Sequence, residues 1–377
     1  IRHPGPGPLP PLLLMRAMRW SASVVVVLAL ASFAVPSAGG LTNSGAEPVV
    51  SGHVVVPTTP TAVAVSPDGG RLYVVSEGDD PEPLPSITVI DARTLEVTST
   101  VATCLGPVDV VAAGSTLLVA CTGGQALLVM DAATMTVLRS VDLGADPRGV
   151  VVSPSSDKAY VLSFGARSPK VLPALIVVDI GKGKVVDRVR VGAISSAVAL
   201  SPSGKRAYVS NWGSNSVTVI NTGARKVAAT LDLGKIMPGA LAVNPDGSRL
   251  LVNRENAGAP MPRILTVNTE SLYVVGGFRP GMEIDGMAYN GTLTQILGGY
   301  YRVGTLLLVA GRLDYEDAFA IIDLLTQRVL ASVPLGAPCR GAGVFTDLAI
   351  APDERRAYVL GECLGHPGTL TAVDLPK

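Results

Sequence analysis

From residue 61 onward the chain repeats one pattern: a Val- and Ala-rich stretch, a turn of Ser-Pro-Asp-Gly type, a stretch with Tyr-Val, a variable loop and an apolar run ending in Asp or Asn. The turn reads Ser66-Pro67-Asp68-Gly69, Ser153-Pro154, Ser201-Pro202-Ser203-Gly204, Asn244-Pro245-Asp246-Gly247 and Ala351-Pro352-Asp353. Pro presets one turn dihedral and Asp or Gly completes the bend, so each copy dictates a tight hairpin. The apolar runs close at Asp91, Asp131, Asp179, Asn221, Asn268, Asp323 and Asp374, at spacings of 40 to 55 residues.

Seven units of this length with about four strands each predict an all-β fold, a seven-bladed β-propeller with four-stranded blades. The units begin near residues 61, 107, 147, 194, 238, 284 and 343, and residues 49 to 377 form the domain. In the first unit the strands, from the axis outward, are Ala62 to Val65, Leu72 to Val75, Ile87 to Ile90 and Val97 to Val101. Neighbours covering both faces explain near-continuous apolar runs where a one-sided sheet would alternate. The seventh unit stops after three strands, and Val49 to Val56 has the character of a fourth. That segment is expected to complete the last blade and close the ring.

Composition narrows the class. Charged residues are 16% of the chain, with 41 Gly and 29 Pro, which argues against a coiled coil or a charged disordered chain. Thirty basic residues balance thirty acidic ones, so no surplus of cations points to nucleic acid. Residues 1 to 38 read as upstream sequence and a secretory signal, with Met15 or Met18 as initiator, Arg16 and Arg19 as the positive region, Val24 to Ala34 as the apolar region and small residues at Ser37 to Gly39. Residues 39 to 48 are a linker, and no membrane span is expected after cleavage. The exported chain is expected in the periplasm, cell envelope or extracellular space, as a monomer.

Tyr208-Val209-Ser210-Asn211, followed by Val217-Thr218-Val219-Ile220-Asn221 and Leu233-Gly234, resembles the YVTN repeat of seven-bladed propellers from bacterial and archaeal envelope proteins. The resemblance covers residues 49 to 377. Blade 2 lacks the Pro turn, and blade 6 reads as carrying an insertion at Gly291 to Val303. The resemblance implies fold and compartment. It leaves chemistry open, since the family includes binding proteins and relatives of lactonases and quinoprotein dehydrogenase subunits.

Cys104, Cys121, Cys339 and Cys363 are an even set in an exported chain, which predicts disulfides. Cys104 precedes the first strand of blade 2 and Cys121 ends its second strand, and Cys339 and Cys363 are read at the same places in blade 7. Pairs 104 with 121 and 339 with 363 follow, because both loops lie on one face of a blade. No close zinc-type spacing occurs, so no metal and no cofactor are expected.

Residues that break the repeat are the candidate ligand-binding set. Asp109 and Asp347 stand where other inner strands have Ala or Gly, and Arg148 and Asp285 fall at the neighbouring position. Three carboxylates and a guanidinium near the channel mouth suit a polar ligand; equally, each Asp can bond backbone amides. The varied loops between second and third strands share that face and carry Trp212, Tyr315 and Phe164. Such aromatics suit a saccharide or a protein surface. Apart from His3 upstream of the signal, the chain has only His53 and His366, and no nucleophile elbow or phosphate loop appears. The sequence therefore points to a non-catalytic binding or scaffold module for a protein or a polar or saccharide ligand. The alternative is a lactonase-like or quinoprotein-dehydrogenase-like enzyme using the channel-mouth Asp and Arg groups.

Overall fold

The computed structural model describes residues 47–78, 84–164, 171–254, 264–278, 299–300, 306–313, 316–323, 328–335, 343–363 and 366–375. Among these there is no helix, and the strands form seven four-stranded antiparallel sheets. Sheet 1 is β2 (Pro60–Val65), β3 (Arg71–Ser76), β4 (Ser86–Asp91) and β5 (Val97–Ala102). Sheet 2 is β6 (Pro107–Ala113), β7 (Thr116–Cys121), β8 (Ala126–Asp131) and β9 (Val137–Asp142). Sheet 3 is β10 (Pro147–Val152), β11 (Lys158–Ser163), β12 (Ala174–Asp179) and β13 (Lys184–Arg190). Sheet 4 is β14 (Ser195–Leu200), β15 (Arg206–Asn211), β16 (Ser216–Asn221) and β17 (Lys226–Asp232). Sheet 5 is β18 (Pro238–Val243), β19 (Arg249–Arg254), β20 (Ile264–Asn268) and β21 (Val274–Phe278). Sheet 6 is β22 (Gly299–Tyr300), β23 (Leu306–Leu313), β24 (Glu316–Asp323) and β25 (Arg328–Pro334), and sheet 7 is β26 (Gly343–Ile350), β27 (Arg356–Cys363) and β28 (His366–Asp374) with β1 (Val49–Thr58) on its outside. β1 pairs antiparallel with β28 from Val49 opposite Asp374 to Thr58 opposite Pro367. In sheet 6 the strand beside β23 lies inside the stretch read as an insertion, and the expected start near residue 284 lies outside the described residues.

Buried apolar clusters fill the spaces between sheets. Ala62, Tyr73 and Ile87 meet Val110, Leu117 and Met130 between sheets 1 and 2. Leu72 and Val74 likewise meet Ala349, Tyr358 and Leu360 between sheets 1 and 7. Sheets 1, 2, 3, 4 and 7 therefore each have two buried faces, as their unbroken Val, Leu and Ile runs require.

The repeat residues reach across these spaces. In the first turn, Ser66 Oγ donates to Asp68 Oδ1 (2.5 Å), and the Gly69 N–H donates to the Ser66 carbonyl (2.8 Å). Gly69 has φ +73°, which favours glycine, and a Cβ there would sit 3.4 Å from Pro352 of sheet 7. The same Pro-on-Gly contact joins Pro154 to Gly204 and Pro202 to Gly247. Tyr of the Tyr-Val pair, with the basic residue two before it, holds the next sheet. Arg71 Nη1 and Tyr73 Oη donate to the Ala132 carbonyl (3.2 and 3.3 Å), and Arg356 Nη1 and Tyr358 Oη donate to that of Ala92 (3.0 and 3.3 Å). Arg206 does the same to Thr269.

Asp91, Asp131, Asp179, Asn221 and Asn268, which close five of the third strands, cap their own turns as expected, whereas Asp374 pairs with Arg356 and the side chain of Asp323 lies outside the described residues. Asp91 Oδ1 accepts from the N–H groups of Arg93 and Thr94 (2.9 and 2.8 Å), and Asp131 and Asn268 repeat the arrangement. These bonds favour the ionised form and hold the Asp91 and Asp131 carboxyls below their ordinary value. Each outer strand carries a β-bulge at one matching position: Ser51, Thr98, Leu138, Val186, Ala228, Val275 and Leu330 are the unpaired residues. A bulge twists an edge away from strand addition, so the seven exposed edges are blunted alike.

Candidate functional site

At the end of the sheets opposite the Pro turns, the first strand starts with a second bulge, which frees Thr61, Val108, Arg148, Ser196 and Thr346 from the ladder. Bulges re-aim side chains. Thr61 Oγ1 donates to the Pro107 carbonyl (2.8 Å) and Ser196 Oγ to that of Pro238 (2.9 Å), so each hydroxyl bridges to the next sheet. Val108 cannot do this, and the adjacent Asp109 does it instead. Asp109 is 1% exposed; its Oδ2 accepts the Val150 N–H of sheet 3 (2.6 Å) and its Oδ1 the Val110 N–H (2.8 Å). Asp347, 4% exposed, accepts the Val63 N–H of sheet 1 (2.9 Å) and the Leu348 N–H (2.8 Å). The two repeat-breaking carboxylates, in the sheets on either side of sheet 1, thus bond to separate backbone amides.

Burial raises both carboxyls, because the charged form loses its water. Asp347 is pushed up to about 7 against two N–H bonds that favour its charge. Asp109 is pushed well above the ordinary carboxylate range, first by burial and then by the nearby charge of Asp347.

Arg148 remains on the loop face, half-buried, its guanidinium carbon 4.9 Å from the centre of the Phe164 ring. Burial lowers its pKa, while Asp146 and Glu77 raise it. Its Nε is buried without a hydrogen-bond partner. Asp146 in turn accepts from Gln125 Nε2 (2.9 Å). Trp212 sits half-buried in the loop after β15, its backbone N–H donating to the Ile194 carbonyl (2.9 Å). Asp285 and Tyr315 lie outside the described residues.

Cys104 and Cys121 are joined as expected, across a separation of 17 residues. The pair 339 with 363 lies outside the described residues, Cys339 altogether and Cys363 by its side chain. Cys121 and Cys363 each end the second strand of their sheet, as expected, but their registers against the first strand differ. Cys121 faces Pro107, two residues before Asp109, whereas Gly361 faces Phe345, two before Asp347. Cys363 lies two residues further out, because β27 runs on past the position where β7 ends.

The position of Cys121 carries other ties elsewhere, which the sequence reading missed. In sheet 4 it is Asn211, fully buried, whose Oδ1 accepts the Gly192 N–H (3.0 Å) and whose Nδ2 donates to Thr218 Oγ1 (2.9 Å) and Ser216 Oγ (3.1 Å). In sheet 1 it is Ser76, donating to the Pro57 carbonyl (3.4 Å). Gly192, Pro57 and Cys104 each stand three residues before the first strand of their sheet. Aligning the units on that strand reveals the signal. A cavity of about 690 Å³ also opens at the Pro-turn end between sheets 7 and 1, lined by Asp68, Arg93, Asp353, Arg355, Arg356 and Asp374. Arg356 Nε there pairs with Asp374 Oδ1 at 2.6 Å.

The structure resembles hydrazine synthase from Kuenenia stuttgartiensis, at 19% identity and a TM-score of 0.65 over 89% of this chain and 99% of that one. It also resembles the β-propeller domain of Myceliophteria thermophila Cps50 (Swd1), at 14% identity and a TM-score of 0.63 over 87% of this chain and 100% of that one. At such identities the likeness shows the β-propeller fold alone. No family model and no curated protein matches the sequence.

Proposed function

We propose that the protein is an exported seven-bladed propeller of YVTN-repeat character, closed into a ring by β1, that acts as a non-catalytic, monomeric binding or scaffold module. Its partner is a protein or a polar or saccharide ligand at the loop face. The observation that carries this reading is the bonding of Asp109 and Asp347, each holding one sheet to the next through backbone N–H groups. Groups so occupied serve rigidity. The loop face keeps Arg148, Phe164 and Trp212 for contact, on a scaffold rigid enough to present them. Ring closure is supported by the Pro352–Gly69 contact and the Arg356 and Tyr358 bonds, which repeat between sheets 7 and 1 what joins sheets within the chain. Export is supported by the disulfide, which suits an oxidising compartment.

Two experiments test this. Trp212→Ala with Phe164→Ala should abolish capture of the envelope partner bound by the wild type, while Asp109→Asn with Asp347→Asn keeps the affinity per folded molecule. Loss of affinity in a well-folded Asp variant, or turnover of a lactone or amine substrate by the wild type, would overturn the binding reading. Deleting residues 39 to 57 should expose β28 and cause aggregation. A truncated protein that stays monomeric with an unchanged Tm would overturn the closure.

A further inference from the structure

We propose that the outer wall of sheets 2 to 4 is a docking surface for a linear acidic polysaccharide. Although the whole chain is neutral, its outer strands are not alike. β9, β13 and β17 carry Arg139, Lys184, Arg188, Arg190 and Lys226 against Asp142, Asp187 and Asp232. Lys182 and Arg225 add to them from the adjoining turns. By contrast β1, β5 and β21 contain no Lys, Arg, Asp or Glu, and β25 contains only Arg328.

The cations of sheets 2 and 3 form one surface, and β17 of sheet 4 lies beside β13. A Cβ at Gly183 in sheet 3 would lie 2.5 Å from Arg139 Cδ in sheet 2, and one at Gly144 would lie 3.6 Å from Arg188 Nη2 in sheet 3. Arg139, Lys184, Arg188, Arg190, Arg225 and Lys226 are exposed, and among the described residues none of them makes an ion pair. Lys182 approaches Asp179 only at 3.9 Å. Such cations gain most from a polyanion, because binding it releases condensed counterions.

Shape and composition choose among polyanions. On the ring proposed above, three of seven blades form a strongly convex wall, which a flat bilayer touches over a fraction of its width and a flexible chain can follow. β9, β13 and β17 contain no aromatic residue on which nucleic acid bases could stack. Exposed Val137, Leu138 and Val227 lie among the cations and offer apolar contact to the C–H faces of sugar rings. A polymer bearing carboxylate or sulfate groups fits both features.

The test is an anisotropy titration of the purified protein with labelled polygalacturonate. Binding should weaken at least roughly tenfold between about 50 and 200 mM salt, and again at least roughly tenfold in the variant Arg139→Gln, Arg188→Gln, Arg190→Gln, Lys226→Gln. The charge-keeping variant Arg139→Lys, Arg188→Lys, Arg190→Lys should retain binding, which separates charge from folding. Arg93→Gln with Arg355→Gln, at the junction of sheets 7 and 1, should change little. No salt-dependent binding by the wild type, equal loss in both Gln variants, or tighter binding to poly-dT or to phosphatidylglycerol vesicles overturns the proposal. Because these residues belong to the outer strands and their turns and not to the loops that carry Arg148, Phe164 and Trp212, failure here leaves the loop-face reading to its own test.

Discussion

Sheets 2 and 4 do the same two jobs with different chemistry. In sheet 4 the loop leading into the first strand is tied by Asn211 to Gly192, and Ser196 bridges to the next sheet. In sheet 2 a disulfide makes the first tie and the Asp109 carboxylate makes the second. A propeller repeat therefore conserves tasks at positions, and a charged residue that interrupts it can be another solution to the same task. The charge of Asp109 and Asp347 then appears as a pH dependence that the hydroxyl of Ser196 lacks.

That difference gives the largest expected effect. Asp347 has a folded pKa raised to about 7, so the folded state holds its proton while the unfolded chain has already released it. The stabilisation it contributes is complete below about pH 4 and is lost as pH rises to about 7, at about 1.4 kcal/mol per unit. The stability of wild type relative to Asp347→Asn, from urea titrations, should therefore fall by about 4 kcal/mol between about pH 4 and pH 8. A gap constant with pH would show that the carboxyl titrates normally. The same series on Ser196→Ala should be flat.

Next in size is the disulfide. Cys104→Ala with Cys121→Ala should cost about 3 kcal/mol by chain entropy, and reductant should lower the wild-type urea midpoint by more than it lowers the variant's, which keeps Cys339 and Cys363. Asn211→Ala in sheet 4 should cost about 2 kcal/mol, since it leaves the Gly192 N–H and the Thr218 hydroxyl without that partner. Reductant should not alter that difference. If Asn211→Ala proves neutral, the two ties are not equivalent. The smallest effect is Ser196→Ala, about 1 kcal/mol for one neutral hydrogen bond, read as a shift in Tm without change in pH profile.

Local chemistry made much of the fold legible. Ser66-Pro67-Asp68-Gly69 bends the chain wherever it stands, and Asp91 caps a turn with its own near neighbours, so both could be read without tertiary context. The partnership of Cys104 with Cys121 followed from parity and placement in one unit. The candidate site was less legible. Asp109 and Asp347 stood out as departures from Ala and Gly, yet their partners, Val150 and Val63, are backbone groups of other units with no side-chain signature. Asn211 was hidden inside a motif that had already identified the fold.

What the sequence by itself determined is the set of turns, the period and the two-sided apolar strands, because each rests on interactions within a few residues or on composition repeated unit after unit. Only the tertiary structure decided which sheet each repeated group serves. Pro352 meets Gly69, Tyr73 holds Ala132, and Cys363 falls two residues beyond the place of Cys121. The physical reason is that register and stacking bring together atoms tens or hundreds of residues apart. A hydrogen bond to a backbone amide leaves no trace in the residue that donates it.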